Sequence, residues 1–134
     1  MTNLSTAFAT LALAGAMLSG GAAYAGTSDC GDSGVLSFID HRFDYKASRY
    51  LRADLDIVAF DRVSNTHVDY RDTTHPIPRV YCHAKVDMSD GHRRDLWYMI
   101  EGGMGFAGLG ERVRFCISGL DPWYVDGRNC RSVR

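Results

Sequence analysis

The residue types that could carry chemistry are scattered along the chain instead of grouped at diagnostic spacings. The five histidines are His41, His67, His75, His83 and His92. They form no His-x-x-x-His pair and no Cys-x-x-Cys motif accompanies them, although zinc ligands usually occur at such spacings. Ligand-type residues cluster once, at His67, Asp69, Asp72 and His75, but that stretch ends at two prolines and has the composition of a solvated loop. We therefore expect no metal site.

A nucleophile or an acid–base pair is equally hard to find. Carboxylates such as Glu101 are available, yet nothing in the pattern brings two of them together. Residues 30–34, Cys-Gly-Asp-Ser-Gly, resemble the surroundings of the nucleophile in trypsin-like serine proteases. Those enzymes order their triad as His, Asp, Ser, whereas Ser33 precedes every histidine. The pattern indicates a helix N-cap in which Asp32 and Ser33 accept from free backbone amides. We expect no catalytic residue and no cofactor.

A glycine-rich stretch runs from Gly102 to Gly110. Such loops can hold phosphate on their backbone amides. No Gly-Lys-Ser/Thr follows, however, and the next residues have the pattern of a strand. We predict a flexible connection between two strands, with ligand contact as the alternative. Met104, Phe106 and Leu109 make it unusually apolar, so it should either pack on the sheet or contact a partner.

The amino-terminal segment predicts export. An apolar run, residues 11–18, precedes Ala23-Tyr24-Ala25, which has the form of a signal-peptidase site. An uncleaved membrane anchor is the alternative, but glycines and a serine interrupt the apolar run. We predict a signal peptide over residues 1–25 and a single mature domain over residues 26–134, with no membrane span after cleavage. Four cysteines on an exported chain of this length indicate a disulfide framework.

The mature sequence predicts an α+β fold, with one N-terminal helix packed on a four-stranded antiparallel meander sheet. After Asp32 and Ser33, apolar residues recur every three or four positions, as on one helix face. That face comprises Leu36, Ile39, Phe43, Ala47 and Tyr50. From Leu55 the period becomes two, which predicts a first strand to Val63 that resumes over residues 67–70.

The remaining strands follow from the same alternation. Over residues 80–88, the even-numbered residues form an apolar face beside the helix. Asp90-Gly91 predicts a two-residue hairpin turn, which would place Ala84 opposite Trp97 and Cys82 opposite Met99 in the core. Tyr81, His83, Tyr98 and Ile100 would then share the outer face. A fourth strand over residues 112–118 would direct Val113, Phe115 and Ile117 one way and Arg114 and Cys116 the other.

Strand parity also constrains the disulfides. Cys82 lies on the helix side of its strand and Cys116 on the opposite side of its own, so their side chains should not converge. Of three possible connectivities we favour Cys30–Cys82 and Cys116–Cys130. The second bridge would fold residues 123–125, Trp-Tyr-Val, over the outer aromatic face.

A partner surface is the main functional candidate. Tyr, Trp and Arg dominate interface hot spots, and the outer aromatic face and the C-terminal region supply them, while the glycine-rich loop adds Phe106. The candidate partner-binding residues are Phe106, Trp123, Arg128 and Arg131. The alternative is a small second core ringed by arginine side chains. The formal net charge of −1 argues against nucleic acid, while the local arginines could meet an envelope protein or an anionic polymer.

Residues 97–110 and 115–123, around Trp97-Tyr98-Met99 and Phe115-Cys116-Ile117, resemble small exported proteins of unknown function from rhizobia-like alphaproteobacteria. The resemblance implies a location in a Gram-negative periplasm, and it gives no information about activity. The predicted fold is similar in outline to cystatin-like and NTF2-like folds, an analogy that implies no function. We expect a non-catalytic periplasmic binding or envelope-interaction protein. The alternative is a small hydrolase or isomerase whose pocket, between helix and sheet, contains His83 or a carboxylate.

Overall fold

The computed structural model describes residues 27–105 and 110–134. The predicted signal peptide and Phe106 lie outside these ranges. A helix, α1 (Ser33–Lys46), continues into a π-helical turn (Ala47–Leu51) and is followed by four strands. The strands are β1 (Ile57–Asp69), β2 (Arg79–Met88), β3 (Arg93–Gly102) and β4 (Glu111–Ile117). They form one antiparallel sheet in the order β1-β2-β3-β4, which confirms the predicted α+β meander.

Helix α1 begins as the sequence predicts. The Asp32 carboxylate accepts from the backbone N–H groups of Gly34 and Val35, at 2.8 and 3.1 Å. Ser33 is the first helical residue, so Asp32 alone is the N-cap. Val35, Ile39, Phe43 and Ala47 form the buried stripe. Tyr50, predicted to continue that stripe, is 56% exposed, because the π-helical turn changes the helical period after Lys46.

Strand β1 is continuous where the sequence predicts an interruption. Its register against β2 slips in three places, between Ile57 and Ala59, between Asp61 and Ser64, and between Asn65 and His67. Each slip inserts an extra residue on β1, as a β-bulge does, and so changes which residues face the core. A strict alternation therefore cannot describe this strand.

The β2–β3 register differs from the prediction by one residue. Met88 N–H donates to the carbonyl of His92 at 3.0 Å, so the loop has three residues, with Gly91 at φ +79°. A three-residue loop that ends in a left-handed glycine is a common hairpin type with a bulge. Cys82 thus lies opposite Tyr98, and Ala84 opposite Leu96.

This slip exchanges the two faces of β3, because side chains alternate along a strand. Leu96, Tyr98 and Ile100 are buried in the main core with α1, where the sequence predicted Trp97 and Met99. Met99 and Trp97 instead pack on the outer face. The Tyr98 hydroxyl donates to the carbonyl oxygen of Cys30 at 2.6 Å, which ties β3 to the segment before the helix.

Both predicted disulfides are present, Cys30–Cys82 and Cys116–Cys130. Their pairing follows from the faces of β2 and β4, which the sequence predicts correctly. The two bridges indicate an oxidising environment. Within the described ranges, no helix is long and apolar enough to cross a membrane.

The prediction that residues 123–125 cover the outer face of the sheet is wrong. Trp123, Tyr124 and Val125 are all more than half exposed. The outer face is covered instead by the C-terminal 3-10 segment Arg128–Val133, whose Cys130 and Val133 pack with Met99 and Cys116. The disulfide fixes Cys130 on the sheet, whereas nothing comparable holds residues 123–125 there.

Candidate functional site

An open apolar groove, which we call the edge groove, runs along β4. It has a volume of about 820 Å³. One wall is α1 with the π-helical turn, the floor is β4, and the other wall is the segment after β4. Its lining residues are Phe38, Arg42, Tyr45, Lys46, Tyr50, Arg112, Val113, Arg114, Phe115, Trp123, Val125 and Asp126.

The helix wall carries large exposed aromatic side chains. Phe38 and Tyr45 are 45% and 48% exposed, although their helix buries other apolar residues completely. They lie seven residues apart and therefore on one helix face, beside the stripe that packs into the core. The Tyr45 ring meets the Tyr50 ring edge to face, with centroids 6.1 Å apart. This aromatic row continues the core outward to the surface.

The opposite wall is held by a local hydrogen-bond network. The Asp121 carboxylate accepts from the backbone N–H groups of Val125 and Asp126, at 3.0 and 2.9 Å. Tyr124 has φ +54°, a left-handed conformation that turns the chain sharply. The buried Asp126 carboxylate in turn accepts from Arg114 at 2.9 Å. This network fixes the segment while Trp123 remains 60% exposed.

The edge groove is rich in cations. Of its charged residues, Arg114 and Asp126 pair with each other. Among the described residues, Arg42, Lys46 and Arg112 have no ion-pair partner. The Arg42 guanidinium lies over the Tyr45 ring and the Lys46 ammonium over the Phe115 ring, each 5.7 Å from the centroid. The groove therefore combines aromatic surface with positive charge that its own carboxylates do not neutralise.

The outer face of the sheet holds a second polar cluster. Asp95 Oδ1 lies 2.7 Å from His83 Nε2 and 2.6 Å from Lys85 Nζ. Hydrogen bonds from Lys85 and then His83 lower the pKa of the Asp95 carboxyl from its ordinary value. The half-buried Trp97 ring stacks between the His83 ring, at 4.2 Å, and the Arg134 guanidinium, at 4.4 Å.

This cluster does not occupy the pocket that the catalytic alternative requires. His83 lies on the outer face, on the side of the sheet away from α1. Between helix and sheet, Ile39 and Phe43 are completely buried in the main core. The His83–Asp95 pair can orient an imidazole, but acyl transfer also needs a nucleophile beside the ring.

The acidic and histidine clusters do not form a preorganised metal site in the described residues. Cys116, Asp121 and Asp126 converge, but the Cys116 sulfur is in a disulfide and Asp126 pairs with Arg114. At the end of β1, His67 bonds to Asp69 at 2.8 Å, and in the loop that follows Asp72 accepts mainly from its neighbours Thr74 and His75. These hydrogen bonds lower the pKa of Asp72 strongly.

Of the four predicted partner-binding residues, the structure describes Trp123, Arg128 and Arg131. Trp123 lines the edge groove, whereas Phe106 lies outside the described residues. Arg128 and Arg131 are exposed on the C-terminal 3-10 segment, and neither lines the groove. Sequence reasoning missed the helix wall, because it followed only the apolar stripe of the helix, which does not include Phe38, Arg42 or Tyr45. The spacing of Phe38, Arg42 and Tyr45, which places them on one face, was the available signal.

Comparisons with family models, with curated proteins and with solved structures find no match. The resemblance to small exported alphaproteobacterial proteins therefore stays a prediction, and the function must be argued from the site.

Proposed function

We propose that this protein is a small non-catalytic binding protein of the periplasm, which engages an envelope partner through the edge groove. The observation that carries the proposal is the groove itself, where exposed aromatic side chains lie beside cations that have no ion-pair partner among the described residues. Exposed aromatic surface is costly in water and is typical of interaction sites. Arginine and tryptophan are also the residues that most often dominate binding energy.

The periplasmic location is supported by two features. The two disulfides require an oxidising compartment to form and persist. The sequence of residues 1–25 has the pattern of a cleaved signal peptide. Intact-mass analysis of the exported protein tests both: we expect a chain that begins at Gly26 and has no free thiol, and retention of Met1 would contradict the cleavage.

Substitutions in the groove test the binding function. Phe38→Ala and Trp123→Ala remove exposed aromatic surface from opposite walls, so each should change stability by less than about 0.5 kcal/mol. Both should weaken partner capture from periplasmic extract. Tyr70→Ala is the matched control, since Tyr70 is 65% exposed and does not line the edge groove.

A photo-crosslinking residue in place of Tyr45 gives a second measurement. It should form an adduct with the same partner in cells, while the same residue in place of Tyr70 should not. If capture is unchanged by both alanine substitutions and the position-45 adduct is absent, the groove is not the binding site and the proposal fails.

A further inference from the structure

Strand β4 is an edge of the sheet, and its hydrogen-bonding pattern shows which groups face outward. Ser118 N–H donates to the carbonyl of Asp95, and Gly103 N–H donates to that of Gly110, both at 2.8 Å. Both bonds belong to the β3–β4 register, in which bonded pairs alternate. The backbone groups of Arg112, Arg114 and Cys116 therefore point toward β3. Those of the intervening residues, including Val113 and Phe115, point away from the sheet.

The outward groups are open over the middle of β4. At the end of the strand, the carbonyl of Ile117 accepts from Leu120 N–H at 3.0 Å. No hydrogen bond joins the outward N–H and C=O groups of Val113 and Phe115 to any other residue in 27–105 or 110–134. An open row of this kind is a template for another strand unless the protein covers it.

The edge groove lies along this open row and is lined from both faces of the sheet. Phe38 and Tyr45 reach it from the helix side, and Arg112 and Arg114 from the outer side. A strand placed about 4.8 Å from β4 would direct its side chains alternately to these two sides. The groove thus provides backbone partners at its floor and two different side-chain environments at its walls.

We propose that the edge groove binds an extended acidic peptide segment of a partner protein, which adds to the sheet as a fifth strand beside β4. The segment alternates apolar residues, which contact the aromatic helix wall, with glutamate or aspartate, which meet Arg112 on the outer side. Peptide addition to a sheet edge derives affinity from backbone hydrogen bonds and specificity from alternate side chains. This inference rests on the proposed function and specifies its ligand.

Charge decides the class of occupant. Arg42, Lys46 and Arg112 have no ion-pair partner among the described residues, so an acidic strand complements the groove. The Glu101 carboxylate, which is the register neighbour of Arg112, already accepts from Arg79 at 2.9 Å. A second copy of this chain would pair β4 antiparallel with β4, and in the registers centred on Val113 or Arg114 it would bring arginine opposite arginine, which is destabilising.

Binding of synthetic peptides to the exported protein tests the inference directly. The probe is a short peptide that alternates glutamate with valine, and its controls are the lysine–valine counterpart and the same acidic peptide N-methylated at alternate residues. N-methylation removes backbone donors without changing charge. We expect the acidic peptide to bind at least about tenfold more tightly than either control, because several hydrogen bonds are lost on methylation.

Two variants locate the binding on the protein. Val113→Pro removes an outward N–H and also replaces a partly buried side chain that packs against the core, but proline is tolerated at such edge positions, so the fold should persist. Val113→Pro should weaken binding of the acidic peptide by about fivefold or more. Arg112→Gln should weaken binding of the acidic peptide and reduce the salt dependence of its affinity. Arg62→Gln, on β1 at the opposite edge of the sheet, should do neither.

Hydrogen exchange measured by NMR keeps the test independent of stability. The bound acidic peptide should slow exchange at the Val113 and Phe115 amides. Equal affinity for the acidic and N-methylated peptides, or unchanged exchange at both amides, overturns strand addition. Preferential binding to phosphatidylglycerol vesicles that Val113→Pro leaves unchanged also overturns it, in favour of a membrane surface. If partner capture still depends on Trp123 in those cases, the proposed binding function stands without strand addition.

Discussion

The hydroxyl of Tyr98 offers the sharpest test of the β2–β3 register. In the structure, Tyr98 is completely buried beside its register partner Cys82, and its hydroxyl donates to the carbonyl of Cys30 at 2.6 Å. The Tyr98→Phe substitution removes this donor and leaves the ring in place. It is therefore a minimal change at the junction of β3, the helix entry and the Cys30–Cys82 bridge.

The expected cost follows from the burial of both partners. Cys30 is 3% exposed, so its carbonyl would lose a hydrogen bond without gaining water. Leaving a buried acceptor unsatisfied costs about 1 to 3 kcal/mol. For a domain of this size, the melting temperature changes by about 4 °C per kcal/mol. We expect Tyr98→Phe to lower the melting temperature by roughly 4 to 12 °C.

Chemical and thermal denaturation with intact disulfides would measure this loss. Tyr124→Phe is the matched control, because Tyr124 is 63% exposed and its substitution should change stability by less than about 0.5 kcal/mol. If both variants are as stable as the original chain, Tyr98 does not sit in the core and the one-residue slip is refuted.

The pH dependence gives an independent check on the same residue. Burial raises the pKa of Tyr98 to about 12 from its ordinary value of 10.0. The unfolded chain then releases the phenolic proton at lower pH than the folded chain, so this contribution to stability is present below pH 10 and lost as pH rises toward 12. Phenylalanine has no such proton, and the difference between original chain and variant should shrink over that range. A constant difference would show that the Tyr98 phenol is not held neutral by burial.

Three further substitutions test the turn, a bridge and an ion pair. Gly91→Ala should destabilise the fold by about 1 to 2 kcal/mol in thermal denaturation, because Gly91 has positive φ. Gly31→Ala, where an added Cβ meets open space, should not destabilise it, and equal losses of stability in the two variants would contradict the three-residue turn. Replacing Cys30 and Cys82 together by alanine should lower the free energy of unfolding, measured in urea, by about 4 kcal/mol, because the bridge closes a loop of 52 residues. An unchanged free energy of unfolding would show that this loop closure does not stabilise the fold. Asp95→Asn should reduce the loss of unfolding free energy at acid pH. The pKa of Asp95 is lowered in the folded chain, so its carboxylate stabilises the fold above the ordinary pKa and this stabilisation is lost as pH falls; an unchanged loss in acid titration would contradict this role.

The helix and two strands could be read from the sequence because their signals are local. The N-cap at Asp32 needs only its own next turn, and the alternation in β2 follows from residues two apart. The parity of β2 and β4 excluded a Cys82–Cys116 bridge, and the position of Cys30 just before the helix favoured its pairing with Cys82. None of these inferences depends on how neighbouring strands are aligned.

The register of β3 and the bulges of β1 could not be read in this way. A two-residue and a three-residue turn both fit Asp90-Gly91, and only packing decides between them. In the folded protein, Tyr98 fills the core and bonds to Cys30, while Trp97 stacks between His83 and Arg134. A one-residue change in register exchanges these environments completely.

The sequence by itself determined the helix start, the meander order and the disulfide pairing, since each depends on local periodicity or on the parity of a single strand. Only the tertiary structure decided the edge groove. Phe38 and Lys46 on α1 are far along the chain from Phe115 and Trp123, and the two pairs meet because α1 crosses the sheet beside its β4 edge. Surface complementarity of this kind is a property of packed elements, which no local pattern of residues encodes.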